Sequence, residues 1–277
     1  MTVCDEAPFQ PDVLELLTSI FDRYGTDLRG YASASLRRRV TAVLARSGVA
    51  TVSDLERRVR GDATFFSDVL DGLTVHVSAM FREPSFYRVF RQRLVPVLRT
   101  YPRLNLWTCG CAAGEEAYAT AILLAEVGLY DRAQIYATDV SPRAIERAKL
   151  GIYTRAEFAR FVANYADAGG AFDLARYFTE AYDRVVVRDS LRRNIVFFQH
   201  DLVGDHVFGD MDVISCRNVL IYFGRPLQER ALATLRGSLR TGGYLCLGQS
   251  EQLPRAVRND FVQVVPEERV YKQGARA

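Results

Sequence analysis

The chain has 277 residues, with 36 lysines and arginines against 33 aspartates and glutamates, and its net charge of +3 is too small to mark a nucleic-acid binder. It is 49% hydrophobic and 25% charged, a globular balance that excludes intrinsic disorder, and its length allows one large domain or two unequal ones. No apolar run approaches the roughly 18 residues needed to cross a membrane, and the start MTVCDEAPFQ lacks the basic and apolar regions of a secretory signal, so the five cysteines are expected as reduced thiols in a cytoplasmic protein.

Residues 10–100 read as helical. PDVLELLTSIFDRYG has apolar residues at 13, 16, 17, 20, 21 and 24, a helical period. SASLRRRVTAVLARSG is expected to start behind Ser33 or Ser35 as N-cap and to stop at Gly48. TVSDLERRV and the segment around TFFSDVLDGL continue the pattern, and EPSFYRVFRQRLVPVLR adds a helix with Pro84 in its first turn. Within 28–60, eight arginines (29, 37, 38, 39, 46, 57, 58 and 60) face only Asp54 and Glu56, a local +6 that attracts an acidic partner or else forms a solvated helix face.

The character changes at Tyr101-Pro102. LNLWTC (104–109) has strand length and leads through a glycine loop into the helix EEAYATAILLAEVG. QIYATD (134–139) is a second strand, and SPRAIERAKLG a helix with Ser141 as cap and Pro142 at its first position. NIVFFQHDL, MDVISC and GYLCLGQSE are further strands, and RPLQERALATLRGSLRTGG reads as a helix closing on glycine. Strands alternating with helices imply an α/β domain with a parallel sheet covered on both faces. The rhythm breaks at about 151–193, where two helical stretches precede YDRVVVRD, a strand outside the main sheet. The organisation is therefore a helical domain over 1–82, a linker helix over 83–100 and an α/β domain over 101–277 with an inserted subdomain.

TCGCAAGEEAY (108–118) is the stretch richest in chemistry. A strand, a glycine loop and a helix start give close backbone approach and free N–H groups. Gly110 and Gly114 are spaced G-x-x-x-G rather than in the dinucleotide pattern, and two glutamates after the loop would repel a pyrophosphate. Asp139 ends the second strand, 25 residues past Gly114, a position that can bind ribose hydroxyls, although such an aspartate can also merely cap a helix. Together these features suit S-adenosylmethionine, a sulfonium with a ribose, better than NAD. Cys109, Cys111, Cys216 and Cys246 lack the paired spacing of a zinc site, so no metal is expected. His200 and His206 read as local hydrogen-bonding or surface residues.

LTVHVSAMFREPSFYRVF, GCAAGEEAY, IYATDVSPRAIERAKLGIY, DVISCRNVLIYF and GGYLCLGQSE, in this order, resemble the bacterial chemotaxis receptor glutamate methyltransferases, the CheR family, over roughly residues 10 to 273. TDLRGYASASLRRRV and SLRRNIVFFQHDL resemble one branch of it. The resemblance implies a small all-α N-terminal domain joined to a class I, Rossmann-like S-adenosylmethionine-dependent methyltransferase domain. It implies that Ser78 and Arg82 touch the cofactor, with Arg82 at the domain interface, and gives the same role to position 76, usually asparagine and here His76. Glu115 would hold the cofactor's amino-acid end and Asp139 its ribose, on a loop shaped by Gly110 and Gly114. Asp201 and Leu202, where the family more often has Asn-Leu, would line the adenine pocket; Arg217 and Asn218 would open the CRN motif, with Asn218 at the methionine portion. Tyr222 would sit near the transferred methyl group. The implied partner is the acidic helical cytoplasmic region of a chemoreceptor or related signalling protein, and a monomer is expected.

That chemistry asks little proton handling, since a glutamate side chain with a reference pKa of about 4.3 is already the nucleophile near neutral pH. Positioning should dominate, and Arg82 and Tyr222 are the candidates for orienting the carboxylate, against a bridging ion pair for Arg82 or a packed core role for Tyr222. The strand-bearing insertion of relatives that dock a receptor's C-terminal peptide carries a longer glycine-containing loop; YFTEAYDRVVVRD is short and has none, so such tethering is not expected. A second reading, from another class, is a catalytically weak S-adenosylmethionine-binding regulator. A third, a nucleic-acid methyltransferase using the arginine patch, conflicts with the lack of aromatics interleaved in SLRRRVTAVLARSG.

Overall fold

The apolar positions that set the first helical period, Val13, Leu16, Leu17 and Ile20, are all buried on one face of α1 (Pro11–Tyr24). They belong to a helical core shared with α2 (Ser33–Ser47), α3 (Val52–Gly61) and α4 (Ala63–Leu73). The computed structural model describes residues 9–207 and 209–274; Cys4 and the rest of residues 1–8 lie outside the described residues. Thr51 and Asp62 cap α3 and α4 by accepting the N–H groups of Asp54 and Phe65, each a contact worth about 1 kcal/mol. Neither serine expected to cap α2 does so. Ala32 holds the cap position, Ser33 is already helical, and the Ser35 hydroxyl is taken by the Arg39 guanidinium at 2.9 Å.

The linker helix is α5 (Pro84–Val89), a π turn (Phe90–Leu94) and α6 (Val95–Leu98). Pro96 explains the widened turn: it has no N–H to donate and its ring would press on the carbonyl one turn earlier.

The α/β domain runs β1 (Leu104–Cys109), α7 (Glu115–Glu126), β2 (Ala133–Asp139), α8 (Pro142–Leu150), then β3 (Ile152–Thr154), α9 (Arg155–Asp167), β4 (Phe178–Ala181) and β5 (Arg184–Val187). It continues through β6 (Ile195–Gln199), β7 (Met211–Cys216), α10 (Arg225–Ser238), β8 (Leu239–Leu247), β9 (Phe261–Val265) and β10 (Val270–Gln273). The seven-stranded sheet has the order β6-β2-β1-β7-β8-β10-β9. Its first five strands are parallel, and β10 and β9 close it antiparallel. These last two strands were not anticipated from the sequence. A second correction falls on the helix expected to close at the glycines: α10 ends at Ser238, and Gly242 and Gly243 lie inside β8. The insertion forms its own sheet, β3-β5-β4, as the broken rhythm implied. Ser141 caps α8 as expected, accepting from the Ala144 N–H.

The helical domain is fastened to the α/β domain in two places. Asp71 of α4 accepts from Ser141 Oγ (2.8 Å) and pairs with Arg147 of α8 (2.9 Å), while Asp68 pairs with Arg143. On the other side, Gly224 N–H donates to Gly30 O (2.7 Å), Ala32 N–H to Tyr222 O (2.9 Å), and Arg230 pairs with Asp27 (3.3 Å). Between these fastenings lies a cleft.

Candidate active site

In a doubly wound sheet, ligands bind at the carboxyl ends of the strands where the winding direction reverses. That point here is between β1 and β7, and the loops after both strands converge on it. Gly110 ends β1 with φ +62°, and a Cβ there would stand 2.6 Å from Val219 Cγ2, so the two loops touch only because residue 110 has no side chain. Gly114 has φ +87° at the N-cap of α7.

A buried ion network fills the floor. The Arg217 side chain is 1% exposed and pairs with Glu83 through Nη2 (2.9 Å) and with Glu116 through Nη1 (3.2 Å). Its Nη2 also donates to Arg82 O (2.9 Å), and its guanidinium lies 4.0 Å from the Phe86 ring centre. Glu116 accepts in addition from Ser215 Oγ, and Glu83 from Asn218 Nδ2 (3.2 Å). Burial acts to raise the Glu83 pKa, but the Arg217 charge and the donated hydrogen bonds outweigh it and hold the carboxyl below its usual range. Asn218 is left-handed (φ 60°), and Glu251 fixes that turn by accepting from the N–H groups of Gly248 (2.7 Å), Asn218 (2.8 Å) and Val219 (2.9 Å).

Asp139 stands at the end of β2 with both oxygens engaged: Oδ2 accepts from Ala112 N–H (2.9 Å) and Oδ1 from Ser141 N–H (3.0 Å). Each carboxylate oxygen has a second lone pair, so capacity remains for hydroxyl donors. Asp201 accepts from Val203 N–H (2.9 Å), and burial pushes its carboxyl up. Tyr222 is part-buried after β7, with the Arg39 guanidinium of α2 5.4 Å from its ring centre, which carries the arginine-rich helix to the cleft mouth.

The cleft encloses about 890 Å³ of empty space including its open mouth, and Ser78, Arg82, Gly110, Asp139, Asp201, Leu202, Arg217, Asn218 and Tyr222 all line it. It does not place His76, Gly114 or Glu115 on its wall. Glu116, the next residue of α7, lines the cleft. Glu115 is instead buried beneath the loop with Oε2 unpartnered, and burial pushes its carboxyl up to about 7. His76 Nε2 lies 3.5 Å from Asp139 Oδ1.

Sequence reasoning missed Glu83, Glu116 and Glu251, all within quoted motifs, and Tyr31, which reaches the cleft from the helical domain. Cys109 and Cys216 end the neighbouring strands β1 and β7 with their thiols hydrogen-bonded, and burial raises both; among the described residues no cluster could hold a metal ion.

The lining fits S-adenosylmethionine. Three carboxylates against two guanidiniums favour a cationic ligand, Asp139 and Asp201 suit hydroxyls and an amino group, and Val140, Leu202 and Phe223 give an apolar wall for a base.

Two family descriptions match the chain: "CheR methyltransferase, all-alpha domain" over residues 11–74 and "CheR methyltransferase, SAM binding domain" over residues 76–270. A Pseudomonas putida protein provisionally named as the methyltransferase Cher3 is 42% identical over 259 residues, covering 93% of this chain and 95% of that protein. An uncharacterised 104.1 kDa protein of Rhodobacter capsulatus is 35% identical over 253 residues, 87% of this chain but 25% of its own length. A chemotaxis protein methyltransferase of Listeria innocua is 30% identical over 231 residues, covering 83% of this chain and 85% of the relative.

Proposed function

The chain belongs to the CheR family of S-adenosylmethionine-dependent methyltransferases, and from that membership we propose that it esterifies glutamate side chains on the acidic helical cytoplasmic region of a chemoreceptor or related signalling protein. The observation that carries this reading is that Arg82 and Tyr222 line the same cleft as Asp139 and Asn218. A cation and a phenol thus share the cleft with the residues proposed to hold the cofactor.

When bound, the cofactor supplies an electrophilic methyl group on a sulfonium. Asp139 would accept hydrogen bonds from its ribose, Leu202 and Val140 would cover the base, and Glu116 and Asn218 would hold the amino-acid end. Arg82 draws in the substrate carboxylate by a charge-assisted hydrogen bond, and the Tyr222 hydroxyl fixes its direction. A glutamate side chain is already ionised near neutral pH, so these residues would have no proton to take from it and no general base is needed. The rate then rests on positioning and on exclusion of water, which roofing of the cleft by Tyr31 and by Val75 and Val77 of the interdomain loop favours. Arg39, beside Tyr222, extends the positive surface towards an acidic partner.

Incubation with methyl-labelled S-adenosylmethionine and a receptor cytoplasmic fragment, followed by base treatment, tests the reading. Label released as methanol supports it. Cofactor binding without any ester across a range of cognate receptor fragments contradicts it.

A further inference from the structure

The structure sets His76, in the loop after α4, between two carboxylates from different domains. Its Nδ1 lies 3.5 Å from Asp71 Oδ1 on α4, and its Nε2 lies 3.5 Å from Asp139 Oδ1 at the end of β2. The side chain is 13% exposed, so solvent screens these contacts only in part.

The hydroxyl of Thr74 decides what the ring can donate. Thr74 Oγ1 gives its proton to Leu70 O (2.7 Å) and stands 3.2 Å from His76 Nε2, so towards the ring it can only accept. Nε2 must therefore carry a hydrogen, which it directs between Thr74 and Asp139. Nδ1 then faces Asp71, and only an imidazolium donates there as well. The other groups around the ring's partners leave its position fixed: Arg147 of α8 holds Asp71 at 2.9 Å, and Ser141 donates its hydroxyl to Asp71 (2.8 Å) and its N–H to Asp139 (3.0 Å).

We propose that His76 is a positioning residue: as an imidazolium it bridges Asp71 and Asp139, locking the cofactor-binding carboxylate to the helical domain. His76 is not among the residues that line the cleft. Loss of its proton removes the bridge, so cofactor affinity responds to pH through a residue outside the cleft. The inference rests on Asp139 being a cofactor ligand, as proposed above.

Calorimetry with S-adenosylhomocysteine on the full chain, at about pH 5.5 and about pH 8.5, tests it. The quantity read is the difference between the parent and His76→Asn, because every other ionisable side chain is common to both proteins. The parent should bind about tenfold more tightly than His76→Asn at the lower pH, with the gap closing at the higher pH, while turnover at saturating cofactor changes less than twofold. Affinities within twofold of each other at both pH values overturn the proposal. So does an equal loss at both, which describes a merely structural role. Asp139→Asn is measured in parallel: if it leaves affinity unchanged, Asp139 is not a ligand and the underlying reading fails, whereas weakening by Asp139→Asn without an effect of His76→Asn fails this proposal alone. His76→Gln, which keeps a donor but no titratable charge, should bind as weakly as His76→Asn at the lower pH.

Discussion

Replacing Arg217 by methionine keeps the apolar stem and removes the guanidinium that joins Glu83, Glu116 and the Arg82 carbonyl. Removing one partner of a buried ion pair costs about 3–5 kcal/mol because the remaining charge is left without compensation. Both carboxylates here keep partial support: Glu83 retains Asn218 Nδ2 (3.2 Å) and Gln249 N–H (3.3 Å), and Glu116 retains Ser215 Oγ. The lower end, about 3 kcal/mol, is therefore expected, which at about 2–4 °C per kcal/mol lowers Tm by roughly 6–12 °C. The loss should depend on pH. Arg217 holds the Glu83 carboxyl low, so this contribution is present above the unfolded carboxyl range and is lost as pH falls through the folded value. Urea titrations monitored by circular dichroism at about pH 7 and about pH 4 would read it, with the gap between parent and variant narrowing at the lower pH. Because Glu116 and Asn218 line the cleft, S-adenosylhomocysteine affinity should fall at least about tenfold. A variant within about 1 kcal/mol of the parent at pH 7, with unchanged affinity, would refute the view that this network organises the cleft floor.

Three further outcomes follow from the same geometry. Asp139→Ala should weaken cofactor binding by about 1.5–3 kcal/mol, the worth of hydrogen bonds to a charged group, and calorimetry showing no change would remove Asp139 from the site. Arg82→Ala should lower kcat far more than cofactor affinity; equal losses in steady-state kinetics would mean that it serves binding alone. Glu115 has its folded pKa raised to about 7, so the folded state binds more protons than the unfolded between about 4.5 and 7 and stability declines as pH rises through that window. Glu115→Gln should accordingly raise Tm at about pH 8, by a shift worth on the order of 2–3 kcal/mol, and change it little at about pH 5; a flat difference between the two pH values would contradict the burial cause.

Much of this molecule was readable because its elements are locally consistent. The helical period of α1, the cap Ser141 and the strand–loop–helix around Gly110 depend on neighbours in sequence, and each stands where the pattern puts it. What escaped depends on contacts distant in sequence. Glu116 joins the cleft-floor network only through the packing of α7 against the end of β7, where Ser215 and Arg217 bind it. His76 acquires its place only when α4 and β2 are brought together, 71 and 139 in the chain. The strand β8 starts at Leu239 because pairing with β7 outweighs the helical reading that ran on to the glycines. The strands β9 and β10 are short and form an antiparallel pair with a register shift, which leaves little periodicity to recognise.

The central claim is that the methyl group goes to a carboxylate oxygen, and the most direct measurement is the chemical stability of the transferred label. The account predicts label on the receptor fragment that is released as methanol by mild base and maps by mass spectrometry to glutamate side chains. Base-stable label on lysine, arginine or histidine nitrogen, or label on nucleic acid, would contradict it.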